Sequence, residues 1–256
     1  MQQTQASRQD RSSPKAFRTT ARVVGVIYLL GMAIGIPANL FILSILDGPD
    51  QLSTIAASSM LLAAGVVFWS VTIVGDAAHG VLMFPVLKQH SERAAVGYLA
   101  ARIMDATFIA VMALLILVQI PIAIEYANAA AADTSYLQAL SAVFDHAQLY
   151  AYEFAMITVG VAGLILCQAF YRSQLIPRLL AVWGLIGYAI LLSGSVLQVL
   201  GFNLNSIQAI PGGLWEVFIG VWLIVKGFST SQLPSEPTTS STTTVETPPL
   251  VGSATG

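Results

Sequence analysis

The sequence predicts an all-α integral membrane protein, a bundle of six transmembrane helices. Of its 256 residues, 56% are hydrophobic and only 9% are charged, whereas soluble domains are roughly 45–50% apolar and about 25% charged. Six apolar runs alternate with polar connections, and each approaches or exceeds the ~20 residues that cross a bilayer as a helix. Backbone polar groups in lipid must be hydrogen-bonded within their own segment, which favours helices over strands.

The chain divides into three parts. Residues 1–21 form a polar, basic N-terminal segment, residues 22–228 form the membrane domain, and residues 229–256 form a Ser/Thr/Pro-rich tail that is predicted to be disordered. The first apolar run is long enough to span the bilayer, so we expect a retained helix and not a cleaved signal peptide. The polar connection after the third span suits a short interfacial helix. The predicted spans are residues 23–46, 60–87, 94–120, 144–171, 179–201 and 214–228.

The lysine and arginine residues predict the orientation of the bundle. Of the 11 such residues, all but Arg102 lie in the N-terminal segment through Arg22, in the second and fourth connections, or at Lys226 near the end of the sixth span. The first, third and fifth connections contain neither residue type. The positive-inside rule therefore predicts that both termini are cytoplasmic.

Four ionisable residues, Asp76, His79, Arg102 and Asp105, lie inside the second and third spans. In a tight hairpin of these two spans, residues at equal depth pair Asp76 with Asp105 and His79 with Arg102, and the two polar residues of each helix share a face. An unpaired arginine at this depth costs at least ~2.5–3.5 kcal/mol, so we expect a carboxylate to pair with it. One interpretation is a structural ion pair; the other is a site that carries or senses a proton, because protonation of His79 would neutralise the group.

A second group is predicted in the outer half of the bundle. His146 and Glu153 are seven residues apart in the fourth span and share a helix face, and Glu216 lies in the sixth span near the expected depth of Gln198. Adjacent buried carboxylates cannot both ionise cheaply, so Glu153 and Glu216 are candidate site residues. The alternative is that groups near the helix ends, Asp145 above all, are merely solvated.

No sequence pattern indicates a cofactor, and none identifies a metal. None of the three histidines begins a His-Glu-x-x-His motif, no Gly-x-Ser-x-Gly motif occurs, and the single cysteine forms no disulfide or cysteine cluster. The basic residues form no nucleic-acid patch away from the membrane edge. The two histidines within spans lie in opposite leaflets, which argues against haem. The sequence therefore favours a protein that is not an enzyme and leaves open lipid chemistry with Glu153 or Glu216 as acid–base group.

Several segments resemble the bacterial family called domain of unknown function 4386. They are ARVVGVIYLLGMAIGI, VFDHAQLYAYEF, YRSQLIPRLLAVWGLIGYAILL and PGGLWEVFIGVWLIVKGF, and the resemblance covers about residues 18–228. It implies a six-helix bacterial membrane protein of unassigned activity, and hence location in the inner (plasma) membrane. It supplies no catalytic residues.

The leading hypothesis is that the polar interior binds or moves a small solute, a cation or protons. The rival hypothesis is a structural or sensory membrane component whose buried charges only lock helix packing. Residues 23–120 and 144–228 show no convincing internal repeat, which counts mildly against a standard secondary transporter. Gly31 and Gly35 form a Gly-x-x-x-Gly pattern, which suits close packing within the bundle or a homo-oligomer. The lipid bilayer is the one partner that composition itself predicts.

Overall fold

The computed structural model describes residues 14–48, 50–129, 134–204 and 206–229. The described residues form helices and connections, with no strand among them. A 3₁₀ turn, Ile207–Ala209, precedes the last helix. The α-helices are α1 (Pro14–Leu46), α2 (Gln51–Ala57), α3 (Ser59–Lys88), α4 (Glu92–Asn128), α5 (Thr134–Ser173), α6 (Arg178–Val199) and α7 (Ile210–Val225).

Five of these helices, and α7 together with the 3₁₀ turn before it, are long and apolar enough to cross a membrane, and they correspond in order to the six predicted spans. The short helix α2 lies between the first and second of them and was not predicted. The predicted all-α membrane bundle is therefore confirmed. Most of the N-terminal segment, and the tail from residue 230 onward, lie outside the described residues.

The six long helices form a closed ring. α1 packs against α3, α3 against α4, and each later helix against the next, until α7 returns to α1. α4 has 37 residues and α5 has 40, which at 1.5 Å per residue gives lengths of ~55 and ~60 Å. These lengths exceed the ~30 Å of hydrocarbon. The helices α4 and α5 therefore extend beyond the predicted spans 94–120 and 144–171, because hydropathy marks the apolar part of a helix and not its polar extension.

The outer parts of α4 and α5 also replace the expected interfacial helix. α4 continues to Asn128 and α5 begins at Thr134, so the described parts of this connection belong to the two long helices. The short helix α2 packs against α4 at the same end of the bundle. Its buried residues Leu52 and Ile55 join an apolar cluster that includes Ile116 of α4.

Two apolar clusters fill the ring, one toward each end. The cluster near the lysine and arginine residues includes Leu87, Phe170 and Trp215. The cluster at the opposite end includes Ile42 and Ile116. Both clusters contain residues that face a cavity inside the ring, and this cavity holds most of the predicted site residues.

Candidate functional site in a central cavity

A cavity of about 960 Å³ lies inside the ring and is lined by residues of all six long helices. This volume is near the upper end of the ~300–1,000 Å³ that is typical of small-molecule sites. Its wall is mostly apolar. The polar and aromatic side chains in the wall are Tyr28, Asn39, Trp69, Thr72, Asp76, His79, Arg102, Asp105, Tyr152, Tyr188 and Glu216.

Arg102 joins α3 and α4 at this cavity. One guanidinium nitrogen, Nη2, donates to Oδ1 of Asp76 at 2.5 Å, and Nη1 donates to Oδ2 of Asp105 at 3.1 Å. The side chains of Arg102 and Asp105 are 9% and 1% exposed, while that of Asp76 is 30% exposed. Arg102 is ten residues from Glu92, or ~15 Å along the helix, which is about half of the hydrocarbon thickness. A buried cation is thus held by two carboxylates.

The observed side-chain contacts differ in part from the pairs that the hairpin geometry predicted. Asp76, Arg102 and Asp105 do converge, but Arg102 contacts both acids directly. His79 is fully buried and shares a hydrogen bond through Nδ1 with the hydroxyl group of Tyr98. The ring of Tyr28 meets the imidazole edge-on, with 4.4 Å between ring centroids. His79 therefore lies among tyrosines beside the ion-paired group.

Glu216 enters the same cavity from α7, on a helix that does not adjoin α3 or α4 in the ring. The hydroxyl group of Tyr188 donates to Oε1 of Glu216 at 2.8 Å. The ring of Tyr188 packs directly against Gly163 of α5. A Cβ atom at residue 163 would lie 2.2 Å from the ring carbon Cγ, so only glycine leaves room for the ring. No ion pair involving Glu216 occurs among the described residues. Its hydrogen-bond partner is thus a neutral phenol.

Within the described part of the chain, three buried polar atoms of cavity-lining residues have no hydrogen-bond partner: Nε2 of His79, Nε of Arg102 and Oδ1 of Asp105. Buried polar groups without partners are rare in folded proteins, and each one calls for an explanation such as water or a ligand. The cavity also contains three carboxylic acids and one guanidinium group. With the acids ionised and His79 neutral, negative charge is in excess.

Glu153 and Glu216 are not brought together as a pair. Glu153 is buried in α5, where Nε2 of Gln198 donates to its Oε1 at 2.5 Å, and it is not among the residues that line the cavity. Oε1 of Gln198 accepts from the backbone N–H groups of Leu204 and Ser206 at 3.3 and 3.4 Å. This network fastens the connection between α6 and α7 to α5.

His146 is exposed on α5, and its Nδ1 lies 2.8 Å from the carbonyl oxygen of Ala142, one turn earlier. The neighbouring Asp145 was expected to be solvated, but it is only partly exposed. It accepts hydrogen bonds from Nε2 of Gln51 and Nε2 of Gln119, both at 2.8 Å. These bonds tie α2, α4 and α5 together and leave His146 away from the cavity.

Three tyrosines near the ionisable residues, Tyr28, Tyr98 and Tyr188, were not predicted as site residues from the sequence. Tyr98 carried a usable signal, because it is four residues before Arg102 and shares its helix face. Tyr28 and Tyr188 carried none, because their roles depend on how α1 and α6 are rotated within the ring. Among the described residues, no group of three or more His, Cys, Asp or Glu side chains is arranged to hold a metal ion.

The comparisons with known proteins identify the family and no activity. Residues 23–227 match the model of a family described as a domain of unknown function, DUF4386. No curated protein and no solved structure matches the chain. The matched range includes every cavity-lining residue and most of the chain, in agreement with the resemblance seen in its separate segments. The chain therefore belongs to the domain of unknown function 4386 family.

Proposed function

We propose that this multi-pass membrane protein binds a small, largely apolar solute with a positively charged group in its central cavity. The observation that carries the proposal is the composition of the cavity wall, where three carboxylic acids and one guanidinium group are set in an otherwise mostly apolar surface. Charged groups inside a membrane are costly unless they are paired. A cation in the cavity would supply the missing positive charge.

The arrangement of the acids supports a cation more than an anion. Arg102 is already shared between Asp76 and Asp105, so an anion would compete with two carboxylates for one guanidinium group. Glu216 has Tyr188 as its hydrogen-bond partner and forms no ion pair with any described residue. A positively charged ligand would reach this acid without breaking an existing ion pair.

Hydrogen-bonding groups support a primary ammonium group in particular. The side chains of Asp76 and Glu216 both line the cavity and are partly exposed, and an ammonium group carries three donors and no acceptor. The rings of Tyr28 and Tyr188 also line the cavity, and aromatic faces attract cations by about 0.5–2 kcal/mol. Carboxylates and aromatic rings together are the usual chemistry of an amine site.

A second candidate function is helix locking, and the double ion pair of Arg102 supports it. This side chain joins α3 to α4 through Asp76 and holds Asp105 on its own helix. This clamp, formed by Arg102, Asp76 and Asp105, would exist whether or not a ligand binds. The two functions differ at Glu216 and Tyr188, which lie outside this group of ion-paired residues.

We also propose that the bundle lies in a bacterial inner membrane with both termini in the cytoplasm. Support comes from the basic residues near helix ends: Arg18 and Arg22 of α1, and Lys226 just after α7, belong to the same end of the ring as the α3–α4 and α5–α6 turns. By the positive-inside rule this end faces the cytoplasm. The outer extensions of α4 and α5 would then project from the opposite side.

The test compares two probes of similar shape and opposite charge, 2-phenylethylammonium and 3-phenylpropanoate. Calorimetric titration of the purified protein in detergent at neutral pH measures the affinity of each. We expect the ammonium probe to bind and the carboxylate probe to bind far more weakly. Glu216→Gln should lower the affinity for the ammonium probe by about tenfold or more, as expected when a hydrogen bond between charged groups is lost.

Glu153→Gln is the matched control, because Glu153 is a buried glutamate inside the bundle that does not line the cavity. It should leave the affinity for 2-phenylethylammonium unchanged. Equal binding of both probes, or equal effects of the two substitutions, would refute recognition of a cation by this cavity. If neither probe binds, helix locking becomes the better account of the buried charges.

A further inference from the structure

The cavity reaches the lipid-facing surface of the bundle beside α1. Some of its lining residues are also exposed: Leu30 of α1 is 52% exposed, Leu214 of α7 is 58% exposed, and Val74 of α3 is 69% exposed. In the middle of a membrane-spanning bundle, an exposed apolar side chain contacts lipid. The cavity is therefore open laterally, along the edges of α1.

The packing of α1 explains this opening. Near one end, α1 and α7 are in close contact, since a Cβ atom at Gly25 would lie 2.6 Å from the carbonyl oxygen of Gly220. Six residues further, or ~9 Å along the helix, a Cβ atom at Gly31 would meet nothing within 4 Å. The flexible side chain of Met32 reaches toward Gly213, with 3.5 Å between its Cε and a Cβ built at residue 213. The contact between α1 and α7 thus changes from backbone against backbone to a contact through one flexible side chain, and the open space at Gly31 lies on the cavity side of α1.

The rim of the opening is apolar throughout. The residues of the cavity wall that are most exposed at the outer surface of the bundle all have hydrophobic side chains. These residues are Leu30, Ile36, Val71, Val74, Ile210, Leu214 and Val217. A strongly hydrated solute would have to lose its water at such a rim. An alkyl chain passes it without that penalty.

We propose that the natural ligand is a long-chain amphiphile with a primary ammonium headgroup, and that it is taken from the bilayer beside α1. The proposal rests on the proposed function, because the same carboxylates bind the headgroup. The ammonium group binds Glu216, the acid without an ion-pair partner among the described residues, in the cavity that Asp76 also lines. The alkyl chain lies along the cavity side of α1, past Gly31, and extends through the opening into lipid.

The experiment uses dodecylamine and dodecanoate, which have chains of the same length and opposite charge at neutral pH. The protein is reconstituted in phosphatidylcholine nanodiscs with each probe, and native mass spectrometry of the released protein measures the bound fraction. We expect dodecylamine to be retained at about one molecule per chain, as for a single buried site. Dodecanoate should be retained far less, and Glu216→Gln should lower dodecylamine retention.

Gly31→Leu tests the path of the alkyl chain. The added side chain enters open space, so the fold is expected to tolerate it while that space is filled. Dodecylamine should bind about tenfold more weakly to this variant, because its chain must displace the new side chain. The matched control is Ala33→Leu, which introduces the same side chain at an exposed α1 residue that does not line the cavity. If Gly31→Leu fails to fold, Leu214→Trp replaces it as the test variant, because the larger side chain narrows the opening from the α7 side.

The outcomes separate this inference from the proposed function. If 2-phenylethylammonium binds but dodecylamine binds no more tightly, the cavity takes small cations and the amphiphile proposal is wrong. The same conclusion follows if Gly31→Leu and Ala33→Leu weaken dodecylamine equally. Equal retention of dodecylamine and dodecanoate would overturn recognition of the headgroup. Failure of both amines to bind would remove the proposed function as well.

Discussion

Replacing Arg102 by methionine should destabilise the bundle strongly, because it removes the shared partner of two carboxylates. Asp105 is 1% exposed and would remain without a cation or water, whereas Asp76 is 30% exposed toward the cavity and would be partly hydrated. The cost is therefore expected to come mainly from Asp105. Loss of one partner of a buried ion pair typically costs about 3–5 kcal/mol.

The assay is thermal unfolding of the detergent-purified protein, followed by fluorescence of its four tryptophans. For a chain of this size, each kcal/mol lowers the midpoint by roughly 2–4 °C, so we expect a decrease on the order of 10 °C. The double variant Arg102→Met, Asp105→Asn should recover a large part of this decrease, because it also removes the stranded buried charge. Such a recovery distinguishes lost charge pairing from lost packing.

A matched control is the exposed ion pair between Lys88 and Glu92, whose Nζ–Oε1 distance of 3.0 Å is similar. Surface pairs contribute little to stability, so Lys88→Met should leave the midpoint nearly unchanged. If Arg102→Met were no more destabilising than Lys88→Met, the group would not be a buried clamp. If the double variant were less stable than Arg102→Met, the argument from the stranded carboxylate would be wrong.

Three further substitutions test the packing that positions the site. Gly163→Ala should destabilise the protein by about 1–3 kcal/mol through overpacking and weaken 2-phenylethylammonium binding, because its Cβ would displace the ring of Tyr188. Tyr98→Phe should cost about 1–3 kcal/mol in thermal unfolding, because it leaves Nδ1 of the buried His79 without a partner. Asp145→Ala should lower stability by a similar amount, about 1–3 kcal/mol, by removing the acceptor for three glutamine side chains, but leave the ligand affinity unchanged in calorimetry.

Controls for these substitutions come from positions with the same chemistry and fewer contacts. Gly97→Ala adds a methyl group at an ordinary 3.4 Å from the side chain of Ile165 and should be tolerated. Tyr150→Phe removes a hydroxyl group from an exposed ring, and Glu125→Ala removes an exposed carboxylate. Any test substitution that is no more harmful than its control would contradict the contact on which the prediction rests.

Part of the candidate site was predictable from residue spacing in two adjacent helices. Asp76 and Arg102 lie on helices joined by a short turn, so their depths follow from their distance to that turn. Their meeting was expected, and the structure shows them in contact. The exact partners were less predictable, because a small rotation or shift of one helix changes which side chains touch.

The position of Glu216 shows why the rest of the site was not predictable. Depth and residue type made Glu153 its natural partner, yet Glu153 bonds with Gln198 and Glu216 faces the cavity with Tyr188. Two helices that are distant in sequence have no short turn to fix their relative rotation. Small contacts such as Gly163 against Tyr188 fix it instead.

The sequence by itself determined that this protein is a membrane bundle of six long helices. Its apolar content and the need to hydrogen-bond every backbone group in lipid leave little alternative. Only the tertiary structure decided that five of the seven candidate residues face one cavity, that Glu153 and His146 do not, and that the cavity opens beside α1. The physical reason is that hydropathy records which residues can lie in the membrane, whereas a site depends on how each helix is rotated against its neighbours.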